Sequence, residues 1–492
     1  MQDGSAEEPT PAQLFRTVFP SIMLPMFLAV VDQTIVATAL PSIAASLGNV
    51  GRVSWVIVGY LVATTIAAPV YGQLRDVYGS KRMMFIALAI FIVSSLLCAV
   101  ATSVEMLTIG RIVQGLGGGG LMTLSQTLIG ESIPPRERAR YQGYLASVMV
   151  TSSTFGPVVG GYLTQHLGWR SVFLINIPLG LLAVLLTLRL KRVAYREQAW
   201  RFDTFGLLLF ITFIVPLLLA LDQAQRMQAS LLPPIAALAA ISLLALVGLI
   251  RQQRRVSQPL LPITLLRNPT VWRSDALAAC HGATLVSLIT FLPLYFRVLR
   301  GATPAAMGLM LLPLVFGIGA GSMLTGRVVS RTGLTTIFPS IGLMLACATL
   351  VLFAVSADTL SLAALPWLLF ICGLFMGTVM GVVQVTVQNA AGAASLGSAV
   401  GSVQLSRSVG AGAGTALVGT VLFAAISLGD AETGRVFAQL VEDRQGPLAA
   451  VVGQATIHAD IQRAFRAAFL TIAAFAACGA ALAWSIPARR LT

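Results

Sequence analysis

The chain has 492 residues, of which 10% are charged and 57% belong to the apolar set AVILMFWYC. A soluble domain carries about 25% charged residues, so this composition excludes a soluble domain and indicates an integral membrane protein. The formal net charge of +14 would suggest a nucleic acid partner in a soluble chain. Here the basic residues fall in short loops between apolar segments, so we interpret them as a topology signal and expect no nucleic acid partner.

The apolar segments are the main structural signal. A helix needs about 20 apolar residues to cross a hydrocarbon core of about 30 Å, whereas a barrel shows segments of about 10 residues with alternating polarity. The segments here are of the first kind, so we predict an all-α integral membrane protein with fourteen spanning helices. The predicted spans are residues 15–40, 53–74, 83–101, 105–130, 139–165, 171–190, 204–221, 230–250, 272–297, 305–328, 334–355, 362–388, 398–428 and 462–486.

The distribution of basic residues predicts the orientation of the chain. Loops on one side carry clusters such as Arg136, Arg138 and Arg140, whereas loops on the other side carry fewer basic residues, such as Arg170. Basic loops face the cytoplasm, and an even number of spans then puts both termini there. The N-terminal stretch lacks the basic region of a signal peptide, so we expect a cytoplasmic tail over residues 1–14.

One carboxylate interrupts the first apolar segment. Asp32 lies in the stretch VDQTIVATALP, within an otherwise uncharged run from Thr17 to Ser46. A charged group at the centre of a bilayer costs about 2.5–3.5 kcal/mol, so it normally faces a partner or a water-filled cavity. Two interpretations stay open, a structural Asp that is hydrogen-bonded to a neighbouring helix and an acid that carries a proton.

A short pattern recurs in two loops. After the second predicted helix, Gly72, Asp76 and Gly79 stand at offsets 0, 4 and 7, and after the tenth, residues 326–333 repeat the glycine offsets with a serine in place of the acid. Internal repeats of this kind are typical of secondary transporters, whose substrate site lies between the halves near the bilayer midplane. The predicted domains are a six-helix bundle at 15–190, an inserted two-helix hairpin at 203–250 and a second six-helix bundle at 270–486 with an extracytoplasmic loop at 429–460.

Several motifs occur in the order found in one transporter family. From about Phe15 to Phe423, the chain resembles the fourteen-helix branch of the drug:proton antiporters in the major facilitator superfamily. The resemblance implies the major facilitator fold. The motifs are VDQTIVATALP at 31–41, GQLRDVYGSKR at 72–82, LTIGRIVQG at 107–115, GPVVGG at 156–161, WRSVFLINIPLG at 169–180, and LPLYF at 292–296 with VQLSR at 403–407.

The resemblance implies roles for individual residues. It associates Asp32 with proton coupling and Arg111 with proton transfer. The loop motif implies a conformational latch, and GPVVGG resembles the antiporter motif, for which helix packing is an equally open role. The latch residues are Gly72, Asp76, Gly79, Lys81 and Arg82, and the antiporter-motif residues are Gly156, Pro157, Gly160 and Gly161.

The loop motif departs from the family pattern at two positions. Ser80 stands where a basic residue is usual and Arg75 where a small residue is usual, so we expect different electrostatic contacts there. For Asp76, capping of the following helix is the alternative to a latch, because a helix N-terminus favours a carboxylate.

Asp32 and Arg111 are predicted to lie at similar depth. The first helix runs outward and the fourth runs inward, which puts both residues in the outer half of the membrane. Loss of water favours the protonated form of a carboxyl group, whereas a nearby guanidinium favours the charged form. A contact that forms in one conformation and breaks in another would therefore switch proton affinity. A structural tie of Arg111 to backbone carbonyls stays open as a second role.

The second bundle carries fewer polar candidates. We interpret Asp275 as a secondary proton or cation site, with a position at the cytoplasmic surface as the alternative. A single histidine on an apolar helix, such as His281, is more often structural. The side chains predicted to line a substrate cavity are Met26, Gln33, Gln114, His281, Phe291, Tyr295, Gln384 and Arg407.

Other functional classes find little support. The sequence GLGGGG at 115–120 fits a dinucleotide-binding pattern, but it lies in a predicted spanning helix, where small residues serve helix packing. The chain has no Walker A sequence, which disfavours an ATP-driven pump, and its five cysteines form no Cys-x-x-Cys pair. We therefore predict no enzyme activity and no metal site.

We predict a proton-coupled antiporter that exports amphipathic, cationic small molecules by alternating access. The expected partners are lipophilic substrates, protons and the lipid bilayer. We expect a monomer in a bacterial cytoplasmic membrane, with no cofactor because the proton gradient supplies the energy. The main alternative is the same fold exporting a lipid, a siderophore or a metabolite.

Overall fold

In the computed structural model, the regular secondary structure of the described residues consists of α-helices and a short 3₁₀ turn, with one isolated bridge between Leu334 and Arg490. The predicted tail at 1–14 and most of the predicted loop at 429–460 lie outside those residues. The structure describes residues 19–48, 53, 55–190, 203–224, 232–256, 259–260, 263–302, 304–356, 360–361, 364–427, 455–487 and 490.

The helices follow one another with short connections. In chain order they are α1 (Phe19–Leu47), α2 (Trp55–Tyr78), α3 (Ser80–Ala99), α4 (Val104–Ser132), α5 (Pro135–Leu167), α6 (Ser171–Leu174), α7 (Asn176–Leu188), α8 (Thr204–Ala224), α9 (Leu232–Gln253), α10 (Ile263–Leu266), α11 (Pro269–Arg300), α12 (Pro304–Thr332), α13 (Ile337–Ser356), α14 (Leu365–Met376), α15 (Met380–Ala391), α16 (Leu396–Ser427) and α17 (Ala455–Ser485).

Twelve helical segments within the described ranges are long and apolar enough to cross a membrane. Two of them are interrupted, because α6 with α7 and α14 with α15 each form one span. Two long helices fall outside this set, α4 with 29 residues and α5 with 33. The prediction of a multi-pass, all-helical membrane protein is confirmed, and the count of fourteen spans stays a prediction.

Most predicted spans agree with the helices to within a few residues, and two ends differ. The first span was expected to end at residue 40, but α1 continues through Pro25 and Pro41 to Leu47. A proline removes only one backbone donor, a loss that membrane helices tolerate. At the other end of the chain α17 begins at Ala455, so residues 455–460, which we predicted as part of a loop, are helical.

The chain divides into two compact units. The first contains Met1–Tyr141, Thr151–Arg201 and Ala391–Gly401. Its central helix is α4, which packs along α2 and α3 and also contacts α1. The helix α7 packs against α1 and α3 on another side of the same unit. Four neighbouring helices therefore surround the polar positions of α1 and α4.

Glycines of α4 allow its close packing in the first unit. A Cβ atom added at Gly119 would lie 2.6 Å from the carbonyl oxygen of Thr64 on α2, and one at Gly117 would lie 2.8 Å from the backbone nitrogen of Phe91 on α3. Small residues let membrane helices approach to backbone contact. The predicted packing role of residues 115–120 is confirmed.

The second unit contains Gln142–Val150, Phe202–Ala390 and Ser402–Thr492. In it α12 packs along α14, and α17 packs against both α11 and α13. The helices α8 and α9, which cover most of the predicted hairpin at 203–250, pack along each other in this unit. The entry of the hairpin is capped by Asp203, which accepts hydrogen bonds from the backbone of Gly206 at 2.8 Å and from Gln252 at 3.1 Å.

The recurring loop pattern has a common backbone conformation. Gly79 directly follows α2 with φ of +85°, and Gly333 directly follows α12 with φ of +71°. Residues with a Cβ rarely adopt this region, so the second glycine of each pattern ends its helix in the same way. The sequence repeat therefore corresponds to a structural one.

We expect Gly119→Ala to lower the apparent melting temperature of the purified protein, because the added methyl group meets the backbone of α2 and overpacking costs about 1–3 kcal/mol. Gly161→Ala is the matched control, since nothing lies within 4 Å of its added Cβ atom. Differential scanning fluorimetry in detergent measures both. Equal melting temperatures for the two variants would contradict the packing role of Gly119.

Candidate functional site

The centre of the first unit is a fully buried ion pair. Asp32 in α1 has no exposed surface, and Arg111 in α4 is 1% exposed. The guanidinium donates from Nη1 to Asp32 Oδ2. The structure thus brings together the two residues that were predicted to lie at similar depth. A pair of this kind offsets the cost of placing each charge away from water.

Two amide side chains complete the hydrogen bonds of the acid. Gln114 on α4 donates from Nε2 to Asp32 Oδ1 at 3.0 Å, and Asn176 on α7 donates from Nδ2 to the same oxygen at 2.8 Å. Gln114 also donates to Ser95 Oγ on α3 at 2.7 Å. Two helices, α4 and α7, therefore donate hydrogen bonds to the carboxylate from Arg111, Gln114 and Asn176, and α3 supplies Ser95 behind Gln114.

Arg111 is held on several sides. Nη1 also donates to Gln114 Oε1 at 2.7 Å, and Nε donates to the carbonyl of Val56 at 3.3 Å. The guanidinium carbon lies 4.1 Å from the ring centroid of Tyr60, in cation–π geometry. The predicted tie to a backbone carbonyl and the contact with Asp32 therefore coexist.

A break in the sixth span positions Asn176. The short helix α6 ends at Leu174, and Asn176 is the first residue of α7, with its side chain buried. The contact between α7 and the Asp32 carboxylate is the hydrogen bond from the Asn176 side chain. Apolar side chains next to the pair form a buried cluster that includes Val31, Ile35 and Phe173.

Sequence reasoning missed three members of this site, Asn176, Ser95 and Tyr60. A signal existed for Asn176, because an amide inside an apolar span needs a partner just as a carboxylate does. The family motif that contains Asn176 assigns it no partner. Ser95 and Tyr60 carried no comparable signal, since serine and tyrosine are tolerated in many helical environments.

A second polar site of the first unit surrounds Asp76 in the last turn of α2. Its carboxylate accepts hydrogen bonds from the backbone nitrogens of Gly397 at 3.0 Å and Ser398 at 3.2 Å, and from Ser398 Oγ at 2.9 Å. Asp76 therefore caps α16. The alternative that it caps the following helix is wrong, because α3 starts after Gly79 without a side-chain cap.

Glycines on both sides make this contact possible. A Cβ atom added at Gly72 would lie 2.8 Å from the carbonyl carbon of Gly397, and one at Gly397 would lie 2.9 Å from the carbonyl carbon of Gly72. Backbone meets backbone here, so a larger residue at either position forces the two helices apart. The predicted latch residues Gly72 and Asp76 thus share one location, and Gly79 ends the helix that carries them.

Arg75 links this cap to the end of α4. Its Nη1 donates to Asp76 at 2.5 Å, and its Nε donates to Glu131 at 2.6 Å. Ser80 Oγ donates to the same Glu131 at 2.5 Å. The guanidinium thus bridges two carboxylates, while the serine that replaces the usual basic residue adds a hydroxyl. This is the altered set of contacts that the departures from the motif predicted.

The two remaining latch candidates lie on α3. Lys81 Nζ donates to the carbonyls of Leu188 at 2.8 Å and Leu190 at 2.5 Å, at the end of α7. Arg82 is exposed. Lys81 therefore ties α3 to α7 rather than acting on Asp76.

The antiporter motif packs on α1 through two of its glycines. A Cβ atom added at Gly156 would lie 2.8 Å from the Cβ of Thr34, and one at Gly160 would lie 2.7 Å from the carbonyl oxygen of Ile35. Pro157 and Gly161 are exposed. The packing role holds for Gly156 and Gly160.

The predicted cavity residues are distributed over both units. Gln114 belongs to the Asp32 site, Met26 is buried and Gln33 is half-buried in α1. In the second unit Phe291 is buried, and Tyr295 packs in an aromatic cluster with ring centroids 5.5–5.6 Å from the rings of Phe296, Phe353, Phe465 and Phe469. Tyr295 is thus part of a packed core.

The polar candidates of the second unit are buried or half-buried. Asp275 is 5% exposed, so it does not mark a surface, and it accepts a hydrogen bond from Ser402 Oγ at 3.4 Å. His281 Nε2 lies 3.2 Å from the carbonyl oxygen of Met376, which fits a structural role. Gln384 is buried and Arg407 half-buried. No cluster of His, Cys, Asp or Glu in the described part of the chain is arranged to hold a metal ion.

Comparisons with known proteins agree with this architecture. The sequence profile of the Major Facilitator Superfamily matches residues 22–415. The multidrug transporter protein MdtP of Bacillus subtilis is 30% identical over 401 residues, which are 82% of this chain and 74% of MdtP. Multidrug resistance protein 3 of the same organism is 30% identical over 305 residues, which are 62% of this chain and 60% of that protein.

A solved structure shows the same fold. The proton:xylose symporter XylE bound to 6-bromo-6-deoxy-D-glucose superposes with a TM-score of 0.64 at 13% identity, covering 98% of each chain. The predicted fold is confirmed as an all-helical major facilitator fold.

We expect Arg75→Ala to loosen the cap on α16, because it leaves the carboxylates of Asp76 and Glu131 without their shared cation. Removing one partner of a buried pair costs about 3–5 kcal/mol. Hydrogen exchange of residues 396–402, followed by mass spectrometry, should accelerate by about tenfold or more.

Two further variants test the cause. Adding Ser80→Arg to Arg75→Ala should restore slow exchange, because it returns a guanidinium next to Glu131 from α3. Arg82→Ala, at an exposed position, should leave exchange unchanged. Exchange that stays slow in Arg75→Ala would contradict the role of the guanidinium.

Proposed function

Since the chain belongs to the major facilitator superfamily, and is therefore a transporter and not an enzyme, we propose that it is a proton-coupled antiporter that exports amphipathic, cationic small molecules. We assign it to the fourteen-helix drug:proton antiporter branch. Relatives that are named multidrug transporter and multidrug resistance protein support this class of cargo. The chain works by alternating access in a bacterial cytoplasmic membrane, as a monomer without a cofactor.

The observation that carries the proposal is the buried pair of Asp32 and Arg111. The guanidinium stabilises the carboxylate as long as the two groups touch. When a conformational change separates α1 from α4, the acid keeps its burial and loses its counter-charge. A buried carboxyl group without a counter-charge takes up a proton.

The amides around Asp32 suit both protonation states. In the structure Gln114 donates to the carboxylate through Nε2, while its Oε1 accepts from Arg111. When Arg111 withdraws, that oxygen becomes free to accept the hydrogen bond of a protonated Asp32. Gln114 therefore provides a donor for the charged acid and an acceptor for the neutral acid, which lowers the cost of the exchange.

The Asp76 site supplies the conformational part of the cycle. Asp76 holds the first turn of α16 in the first unit, while the rest of α16 belongs to the second unit. Breaking three hydrogen bonds at one helix terminus releases that turn. We propose that the cap forms in one access state and opens in the other.

The lengths of α4 and α5 support the proposed topology. With 29 and 33 residues, they extend over about 44 and 50 Å, longer than a hydrocarbon core of about 30 Å. Their polar side chains, such as Arg111 and Gln114, point to interior partners. We propose that both helices cross the membrane, which gives fourteen spans with both termini in the cytoplasm.

The driving force depends on the charge of the cargo. Exchange of one proton for one monovalent cation moves no net charge, so only the pH difference drives it, and each pH unit supports about a tenfold cargo gradient. A neutral cargo would in addition use the membrane potential, at about 2.3 kcal/mol per charge and 100 mV. Clamping the potential with valinomycin separates these cases.

We expect Asp32→Asn to abolish efflux driven by a pH gradient while cargo binding is retained, because the amide preserves the size and some hydrogen bonds of the acid but carries no exchangeable charge. Proteoliposomes that contain the purified protein, an imposed pH gradient and a fluorescent lipophilic cation measure the flux. Equilibrium binding of the same cation is measured in detergent.

Glu105→Gln is the matched control, since Glu105 is an exposed carboxylate at the start of α4. It should transport like the native protein. Efflux that survives in Asp32→Asn would move proton coupling to another acid. Absence of flux in the native protein would instead favour a lipid, a siderophore or a metabolite as the cargo.

A further inference from the structure

The spanning helices of the second unit carry an acid, Asp275, and a base, Arg407, that form no ion pair in the described part of the chain. One oxygen of Asp275, Oδ2, has no hydrogen-bond partner among the described residues, and the other receives only the long 3.4 Å bond from Ser402. The guanidinium of Arg407 likewise has neither a hydrogen bond nor an ion pair within the described ranges. Arg407 is half-buried. Both residues lie inside apolar spanning helices, α11 and α16.

These two residues lie along one pair of packed helices. Asp275 on α11 contacts Ser402 on α16 through a hydrogen bond. Further towards the C-terminus of both helices, Gly282 packs against Arg407, and a Cβ atom added at Gly282 would lie 3.1 Å from the Arg407 Cγ. Seven residues separate the two contacts on α11 and five separate them on α16. Asp275 and Arg407 therefore lie along the same pair of packed helices, and no ion pair joins them in the described structure.

The neighbouring histidine does not supply the missing counter-charge. His281 is next to Gly282 on α11, and its Nε2 is engaged with the Met376 carbonyl. Neutral or protonated, an imidazole offers no negative charge to Arg407. Asp275 is the nearest acid in this part of α11, and the two groups do not touch.

An unpaired charge inside a membrane span is costly, and such residues face cavities and mark substrate or ion pathways. In the first unit a buried acid has its partners within the protein, since Asp32 accepts hydrogen bonds from three side chains. Within the ranges that the structure describes, Asp275 and Arg407 have no comparable partners. A ligand with opposite charges at a matching separation would satisfy both groups at once.

We propose that Asp275 and Arg407 bind zwitterionic amphipathic cargo, with the ammonium group of the cargo at Asp275 and its carboxylate at Arg407. The inference rests on the proposed function as an exporter and narrows its cargo from amphipathic cations to cations that also carry an acid group. Arg407 is the residue that distinguishes the two classes, because a purely cationic compound gains nothing from a guanidinium.

Three matched probes test this site in the full-length protein in nanodiscs. They are an arylpiperazine carboxylic acid, its methyl ester, which keeps only the cation, and its N-acetyl derivative, which keeps only the anion. Isothermal titration calorimetry should show that the native protein binds the zwitterion about tenfold or more tightly than either derivative, since each charge-assisted contact contributes at least that factor.

Variants then assign each charge to one residue. Arg407→Gln should reduce zwitterion affinity to that of the ester and leave ester affinity unchanged. Asp275→Asn should reduce zwitterion affinity to that of the N-acetyl derivative and leave the latter unchanged. Arg331→Gln, which removes an exposed arginine of the same unit, should leave all three affinities unchanged. Arg407→Lys keeps the positive charge and should retain a preference for the zwitterion.

Two results would overturn the assignment. Equal binding of all three probes to the native protein would exclude a site for both charges. Variants that lower the affinity for all three probes by the same factor would show that the residues support the structure, for example by pairing with each other in another conformation. If the native protein shows no pH-driven efflux but still binds the zwitterion more tightly than its derivatives, the proposed function is refuted and the binding site is supported.

Discussion

The ion pair between Asp32 and Arg111 is the contact around which the first unit is built. Neither charge is tolerated alone among apolar helices, so each helix that approaches the pair has to bring a polar group to the right place. Gln114 comes from α4 itself, Asn176 requires the break before α7, and Tyr60 offers its ring to the guanidinium. The positions of α1, α2, α4 and α7 relative to one another follow from these requirements. The glycines of α4 then allow the helices to close over the pair.

The sequence predicted the location of this site better than its composition. Apolar runs and charged loops give the direction of each span, and direction gives depth, so Asp32 and Arg111 were expected to approach. Depth does not say which faces of two helices meet, and for that reason Ser95 and Tyr60 were missed. Asn176 follows an interruption at residue 175 that Pro178 explains, because a proline has no N–H to donate to Leu174 four residues earlier. The interruption does not reveal which helix the Asn176 side chain will meet.

The Asp76 site illustrates a different limit. The glycine and aspartate spacing predicted a latch, and the two unusual residues Arg75 and Ser80 predicted changed contacts. The partner of the acid, the first turn of α16, lies more than 300 residues away in the chain and carries no charge. Backbone nitrogens are present at every position, so a sequence cannot mark the ones that a carboxylate will use. The fold class was easier to predict, because the length and polarity of most spans are properties of single segments.

The relation between Arg75 and Ser80 bears on how members of the superfamily are compared. An alignment that treats each column separately counts two unrelated differences from the motif. Ser80 on α3 replaces a basic residue, and Arg75 on α2 replaces a small one. In the structure the two differences act at one place, since the side chains of Arg75 and Ser80 both donate to Glu131. The common requirement is a polar or positive group beside Glu131, which side chains at position 75 on α2 and at position 80 on α3 both reach. The two columns are therefore expected to covary across the family, and a motif search that scores each column independently would rank chains like this one too low.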